Sequence, residues 1–513
     1  MLGKSPAESS PSPMRISPIL LLAGWLAASL PAGAATLTIA QNFDPQTLWP
    51  NASTASDNLN PASAIVQPLF WLDPRNGKMT PLLATEYQLE TPTSVLIRLR
   101  PNVKFTNGEA MDARAVLHSI AVFSDSKETP AYANFAVAID HAEKVDDLTV
   151  RLLMKFPYPP LPLLLTQIFI TPPQYWTTVG RVGFGQKPIG TGPFRLTEWV
   201  RDDHLTMVPN AGYWGTLPAG IDRLIWKPVP DDTARVAGLA TGEFDIAKGM
   251  PISAIGQVKA LPGVDLMAIP SYRIFQLALY STPMHPGPLQ DRRVRQALNY
   301  GVDKQALITE LFSGQAGALN GQLLRPSQPG FDPALKDYPY DPAKAKALLA
   351  EAGFPNGFDI DFKFPVGRYA QDQEVAAAVS GMLAKLNVRA RMIPLEPGEF
   401  LRQMGTGALG PMAFLGFAPT DDPDFQLSLY RSDWRFRITG NPKLDALIDA
   451  GRREMDPAKR AEIYRNAVQL MHDDASVVFL YVDKDFYGVT KRLKDFQPRG
   501  DGCFFFYGTS VAP

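Results

Sequence analysis

The chain has 513 residues, 45% hydrophobic and 20% charged, with 50 Lys and Arg against 51 Asp and Glu. That length implies two or three domains, and a formal net charge of −1 offers no basic stripe for nucleic acid or another polyanion. A single cysteine, Cys503, excludes an intrachain disulfide and a thiolate metal site; its place before Phe504, Phe505 and Phe506 predicts a small buried side chain.

The first predicted segment is an export signal. Met14 and Arg15 open a basic region, Ile19–Leu30 is a short apolar run, Pro31 breaks it, and Ala32-Gly33-Ala34 supplies the small residues a signal peptidase reads. The run is too short to span a bilayer, which takes about 20 residues. Segment 1–35 is therefore expected to leave as a signal peptide, with the mature chain starting at Ala35 or Thr36. Residues 1–13 are polar and fit no export role, so Met14 is a second candidate start. No cysteine follows the small-residue site, so the expected mature protein is periplasmic and free, not a lipoprotein.

Strand and helix patterns then alternate. Thr36–Ala40 reads as a strand. Ser94–Phe105 alternates faces and ends at the turn dipeptide Asn107-Gly108. Asp112 stands as N-cap before a helix at Ala113–Phe123, and Leu148–Phe156 is a strand. Phe194–Trp199 and Leu205–Val208 form a hairpin, Ile221–Val229 is a strand, and a helix runs from Asp231-Asp232 to Gly242, where a positive φ is wanted. A short strand follows at Phe244–Ala247. Leu289–Phe312 carries Val294, Leu298, Leu307 and Leu311 at helical spacing and reads as one helix, with Arg292, Arg293 and Arg295 on its solvated side. Further on come a helix at Pro342–Ala352, a strand at Phe358–Phe364, a helix at Gln371–Leu386 and a strand at Val388–Leu395. Helices at Pro442–Glu454 and Pro457–Asp474 precede a strand at Val477–Val482. This alternation implies α/β lobes.

Several of these segments, in order, resemble the large extracytoplasmic solute-binding proteins of the dipeptide, oligopeptide and nickel ABC import systems, solute-binding protein family 5. The resemblance lies in Leu82–Glu86 with Ile97–Gly108 (IRLRPNVKFTNG), Gly190–Phe194 (GTGPF) through Gly212-Tyr213-Trp214, and Leu239–Ala247 (LATGEFDIA). It continues in Asp291–Asp303 (DRRVRQALNYGVD), Leu444–Ile448 (LDALI) and Lys459–Tyr464 (KRAEIY). The fold it implies is α/β: a two-lobed periplasmic binding protein fold of type II with an extra subdomain inserted in the first lobe. Residues 36–71 and 186–278 would form the first lobe, 72–185 the insertion, 279–484 the second lobe, and 485–513 a return to the first. The implied function is capture of a small solute, a peptide foremost, between lobes that close by a hinge. Delivery would be to a membrane permease served by cytoplasmic ATPase subunits. A monomer without cofactor, metal or nucleic-acid partner is expected. Relatives of the same fold also take nickel chelates, opines, glutathione and sugars.

An enzyme is the rival class. The histidines, His118, His141, His204, His285 and His472, form no H-E-x-x-H pair, and neither a G-x-x-x-x-G-K-[ST] phosphate loop nor a G-x-S-x-G nucleophile elbow occurs. Gly183-Phe184-Gly185 lacks the third glycine of a dinucleotide site. The chain is therefore read as non-enzymatic, with a peptidase or a chaperone-like holdase as the alternatives; cleavage of a bound peptide would separate them.

The leading site candidate is Phe414–Leu427 (FLGFAPTDDPDFQL), which holds Asp421, Asp422 and Asp424. By resemblance to peptide binders, a carboxylate here takes the ligand's ammonium, which must be paired once water is excluded. The loop is shorter than in the dipeptide binders, so Thr420 and Asp421 both compete for that position, and Asp422 also suits a capping role. Phe417 stands where many relatives have tryptophan. Arg368 and Tyr369, in the loop after Phe358–Phe364, are candidates for the ligand's carboxylate end. Ser53, Thr54 and Asp57 are expected to line the opposite wall. Tyr272 and Arg273, just before the crossing between lobes, are further candidate contacts.

Overall fold

The computed structural model describes residues 35–75, 77–417 and 420–512. The expected signal segment lies outside them, as do Ala418 and Pro419 in the acidic loop.

The strand Thr36–Gln41 is parallel to Arg223–Pro228 on one side and to Ile246–Lys248 on the other. Leu37 and Ile39 alternate with Thr36 and Thr38, and the strand is buried from Ile39 onward. The hairpin of Phe194–Val200 and His204–Pro209 extends this half-sheet outward. A second half-sheet sets Phe358–Pro365 parallel to both Val388–Leu395 and Met412–Phe417. Two long antiparallel strands, Val264–Leu279 and Val477–Thr490, run through both halves and join them. Each half has its own core. Leu37, Ile39, Trp226 and Phe504 pack in the first, and Phe362, Val379, Phe414 and Leu480 in the second.

The ladder between the two long strands shifts register twice, and the larger break precedes Ile274. Pro270 opposes Lys484 and Ile274 opposes Val482, so Ser271, Tyr272 and Arg273 stand against Asp483 alone. Pro270 brings no N–H to the ladder, and the extra residues form a bulge, a feature that bends strands and re-aims side chains. The break falls where the chain passes from one half-sheet to the other.

A separate four-stranded antiparallel sheet orders Ala84–Thr91, Ser94–Leu99, Thr149–Met154 and Ile139–Asp146. The helix Ala113–Ser124 covers it, and Val95, Ile97, Val116, Ile120 and Leu152 fill a core of its own. Asp112 caps that helix as expected, accepting from the backbone N–H of Arg114 at 2.9 Å.

One expected element divides. Leu289–Phe312 is a turn at Pro288–Gln290, an α-helix at Arg292–Gly301, a short turn at Lys304–Ala306 and a π-turn at Leu307–Leu311. Val302 is extended, and Asp303 starts the chain afresh by accepting from Ala306 N–H at 2.9 Å. Arg292 and Arg293 are exposed as expected, whereas Arg295 is buried. Its guanidinium donates to the Leu289 and Gln290 carbonyls and to Asp474, which tie down the charge. Cys503 is buried, and burial first, then Asp501, pushes its thiol well above the usual range. Tyr213 and Trp214 both reach Gln67, through the Tyr213 hydroxyl and Trp214 Nε1.

Candidate functional site

The acidic loop separates its three carboxylates. Pro423 starts a one-turn helix, Pro423–Leu427, and Asp422 caps it, accepting from Asp424 N–H at 2.9 Å. Asp422 is also gripped by both terminal nitrogens of Arg460, at 2.7 and 2.8 Å. Asp424 is fully buried, accepts from Arg452 Nε at 3.0 and 3.1 Å and from the Tyr464 hydroxyl at 3.3 Å. Burial raises its carboxyl and Arg452 opposes that shift. Both carboxylates serve the local architecture. Asp421 differs: its side chain is 40% exposed, and it accepts from Arg325 Nη2 at 2.5 Å and from Ser327 Oγ at 3.0 Å. Thr420 has a buried hydroxyl with no hydrogen-bond partner among the described residues. Phe417 stacks on Phe436 at 5.6 Å.

Arg325 links this loop to the strand crossing. It donates to the Tyr272 carbonyl at 2.9 Å, and its guanidinium lies 4.1 Å from the Tyr272 ring centre. Tyr272 N–H in turn donates to the Gly500 carbonyl of the C-terminal segment. That segment carries the Arg499–Asp501 ion pair. The structure thus brings Tyr272 and Asp421 together, through a residue the sequence did not single out.

Of the other candidates, Tyr369 packs edge-on against Phe275 beside the bulge. The Tyr369 hydroxyl donates to the Gly416 carbonyl at 3.1 Å, and the backbone N–H groups of Arg368 and Tyr369 donate to buried Asp372. The Arg368 side chain is exposed, its guanidinium 5.3 Å from the Tyr369 ring centre. Asp57 is buried and paired with Lys248, which also bonds Ser56. Ser53 accepts from the Ala55 N–H on its hydroxyl, and its carbonyl accepts from the Tyr132 hydroxyl at 3.4 Å; Thr54 is exposed.

Arg273, a candidate contact from the sequence, stands at the bulge itself, but its carboxylate partners were not legible. Arg273 Nη1 lies 3.0 Å from Asp483 and 3.5 Å from Asp485, with a quarter of its side chain still accessible. Burial acts to lower the Arg273 pKa, and the two carboxylates override it. Burial pushes Asp483 up to about 6 against the pull of Arg273. The only sequence signal is Asp483-Lys484-Asp485 directly after an apolar strand. That pattern is indistinguishable from a polar loop until the strand is known to continue through it.

The histidines make local contacts. His285 Nε2 is 2.7 Å from the Gly407 carbonyl, His472 stacks on Tyr338 at 4.6 Å, and His118 meets Trp176 edge-on. A cavity of about 620 Å³ is lined by His285–Leu289, Asp359–Asp361, Arg389–Arg391 and Pro411 at the outer edge of the second half-sheet. It contains none of the candidate residues. No group of three or more His, Cys, Asp or Glu able to hold a metal occurs among the described residues.

Known proteins place this architecture. The structure superposes on the periplasmic binding protein DppA from Helicobacter pylori, solved with the peptide STSA, with a TM-score of 0.83 and 22% identity. That match covers 93% of this chain and 98% of DppA. It matches NikZ from Campylobacter jejuni, solved with Ni(L-His), with a TM-score of 0.81 and 22% identity over 92% of this chain and 97% of NikZ. The fold is thus that of a two-lobed periplasmic binding protein. In sequence, the glutathione-binding protein GsiB of Pectobacterium atrosepticum is 30% identical over 470 residues, 88% of this chain and 90% of GsiB. Residues 78–436 match the profile of the bacterial extracellular solute-binding proteins, family 5. The chain belongs to that family and is a solute-binding component of an ABC importer. No helix among the described residues is long and apolar enough to cross a membrane.

Proposed function

We propose that this protein binds a small peptide at the seam between its two half-sheets and delivers it to a membrane permease. One observation carries this reading: the paired crossing strands break register at a point where charged side chains remain accessible, between the loop of Asp421 and the C-terminal segment. Two lobes that meet over such a seam give a cleft that closes on a polar solute, the default position for a ligand. Residues 36–71 and 186–278 would act as one lobe carrying 72–185, residues 279–484 as the other, with 485–513 returning to the first. Arg368, exposed beside Tyr369, suits the peptide's carboxylate, and Asp421 is the most exposed carboxylate of its loop. DppA, solved with a peptide, and GsiB, named for the tripeptide glutathione, support a peptide over other solutes. The mature protein would act outside the cytoplasm as a monomer, without cofactor or catalysis, its chain beginning at Ala35 or Thr36.

The test is mass spectrometry of solute released from purified protein by denaturation, followed by calorimetric titration of what is found. A retained opine, sugar or nickel chelate in place of a peptide would refute the peptide reading.

A further inference from the structure

The bulge at the crossing leaves an unbalanced charge. Arg273 donates to Asp483 Oδ2 at 3.0 Å and lies 3.5 Å from Asp485 Oδ1. The other oxygens, Asp483 Oδ1 and Asp485 Oδ2, are buried without a hydrogen-bond partner among the described residues. Lys248, the second cation of the region, is already held by Asp57 and Ser56. Three carboxylates therefore face two cations. Two hydroxyls add to the imbalance. Tyr481 and Tyr487 are fully buried, and neither hydroxyl has a partner among the described residues. After burial, Asp483 is the strongest influence on Tyr481, and Asp485 on Tyr487. Unpaired polar groups in a dry interior are costly, and native structures keep them where another group completes the set.

Asp485 also faces the seam. A Cβ built on Gly502, in the C-terminal segment, would stand 3.7 Å from Asp485 Oδ2 and 2.9 Å from Ser56 Oγ. The free oxygen thus lies between the crossing strand and the wall that carries Ser56 and Asp57. Asp421, by contrast, already has Arg325 and Ser327.

We propose that Asp485, supported by Asp483, anchors a cationic group of the bound solute, an ammonium or guanidinium, at the strand crossing, in place of Asp421. The proposal rests on the reading that solute binds at the seam, and it adds the charge that solute must carry. A positive donor set against Asp483 Oδ1 and Asp485 Oδ2 pairs the two orphaned acceptors and removes the excess negative charge. For a zwitterionic peptide, Arg368 remains for the opposite end.

The experiment titrates trialanine, N-acetyl-trialanine and agmatine into the wild type and the Asp485→Asn, Asp485→Glu and Asp421→Asn variants by calorimetry, with thermal unfolding as the folding control. Asp485→Asn is chosen over Asp483→Asn because it leaves the Arg273–Asp483 bond intact. It is expected to weaken trialanine at least about 30-fold, the loss typical of stripping one partner from a buried charged pair. Asp421→Asn is expected to change it far less, and Asp485→Glu is expected to keep the preference for the free amine. Acetylation should weaken binding to the wild type by a similar factor and add nothing in Asp485→Asn, because both changes delete one interaction. Trialanine binding that survives Asp485→Asn and falls in Asp421→Asn overturns the proposal and leaves the peptide reading standing. Agmatine binding that depends on Asp485, with no peptide binding, upholds the proposal and removes the peptide reading. A wild type that takes neither trialanine nor agmatine overturns it.

Discussion

Asp421 and Asp424 lie three residues apart in one loop, and their environments predict unequal responses to the same change. Asp424 is fully buried, and its partner Arg452 is only 6% exposed. Two bonds from Arg452 Nε and one from the Tyr464 hydroxyl satisfy the carboxylate, and Arg452 also donates to Ser428 Oγ at 2.6 Å. Asp424→Asn leaves a guanidinium buried against a neutral amide, which costs about 3–5 kcal/mol in comparable pairs. Asp421 presents 40% of its side chain to solvent, though its partner Arg325 keeps only 9%, so its loss falls between the about 0–1 kcal/mol of an exposed pair and the cost at Asp424. Urea unfolding at pH 7, followed by tryptophan fluorescence, should therefore move the midpoint more for Asp424→Asn than for Asp421→Asn. Adding Arg452→Met to Asp424→Asn should recover part of the loss, because no uncompensated charge remains. The reasoning fails if both single variants shift the midpoint equally, or if Asp424→Asn costs less than about 1 kcal/mol on the scale just given.

Two further outcomes follow from contacts around the seam. Phe135 stacks on Phe425 at 4.0 Å, and Arg453 lies 4.6 Å from the Phe156 ring centre, joining segment 72–185 to the second half of the chain. Phe135→Ala removes an aromatic pair of about 0.5–1.5 kcal/mol between these two segments. It should weaken solute binding by up to about tenfold and widen the small-angle scattering profile; an unchanged profile and affinity would show that this stack does not hold the lobes together. Asp483, faced by Arg273, Asp485, Ser271 and Tyr481, has its carboxyl raised by burial to about 6. A raised carboxyl stabilises the fold while protonated, so its contribution is fully present below about pH 4 and is lost as pH rises through about 6. Asp483→Asn should abolish that fall, and a wild-type–variant difference in unfolding free energy that stays constant from pH 4 to 7 would contradict the assignment.

Much of the fold was legible because its elements announce themselves locally. Asp112, Asp231 and Pro457 mark helix starts by capping chemistry, and the Phe358–Phe364 and Val388–Leu395 strands begin with alternating apolar and charged residues. The crossing strands were harder. Val264–Leu279 was not read as a strand because Asp265, Pro270 and Arg273 interrupt it. Val477–Thr490 was ended too early, at Val482, because Asp483, Lys484 and Asp485 look like a loop. Both are held by pairing with each other across some 210 residues of chain, which no local pattern records. The same cause hid part of the site. Asp421 was visible as an acidic turn, but Arg325, which occupies it, comes from a segment without regular structure.

The position of the unbalanced charge ties binding to movement. A solute shifts a two-state equilibrium only by as much as it prefers one state over the other, and the proposed anchor lies on a strand shared by both half-sheets. Asp485 sits on a strand that belongs to both half-sheets, and its free oxygen points toward the wall formed by Ser56 and Gly502. The fit there is close. A Cβ on Gly500 would stand 2.4 Å from the Tyr272 ring, so the C-terminal segment passes the crossing with no room for a side chain. On the proposal above, a cation at Asp485 would stand against that wall, and opening the seam would part the two. An anchor at the rim, such as Asp421 with Arg325 already attached, supplies no such difference. If the solute's cation sits at Asp485 as proposed, its charge would be coupled to closure of the lobes, and a neutral solute would lack that coupling.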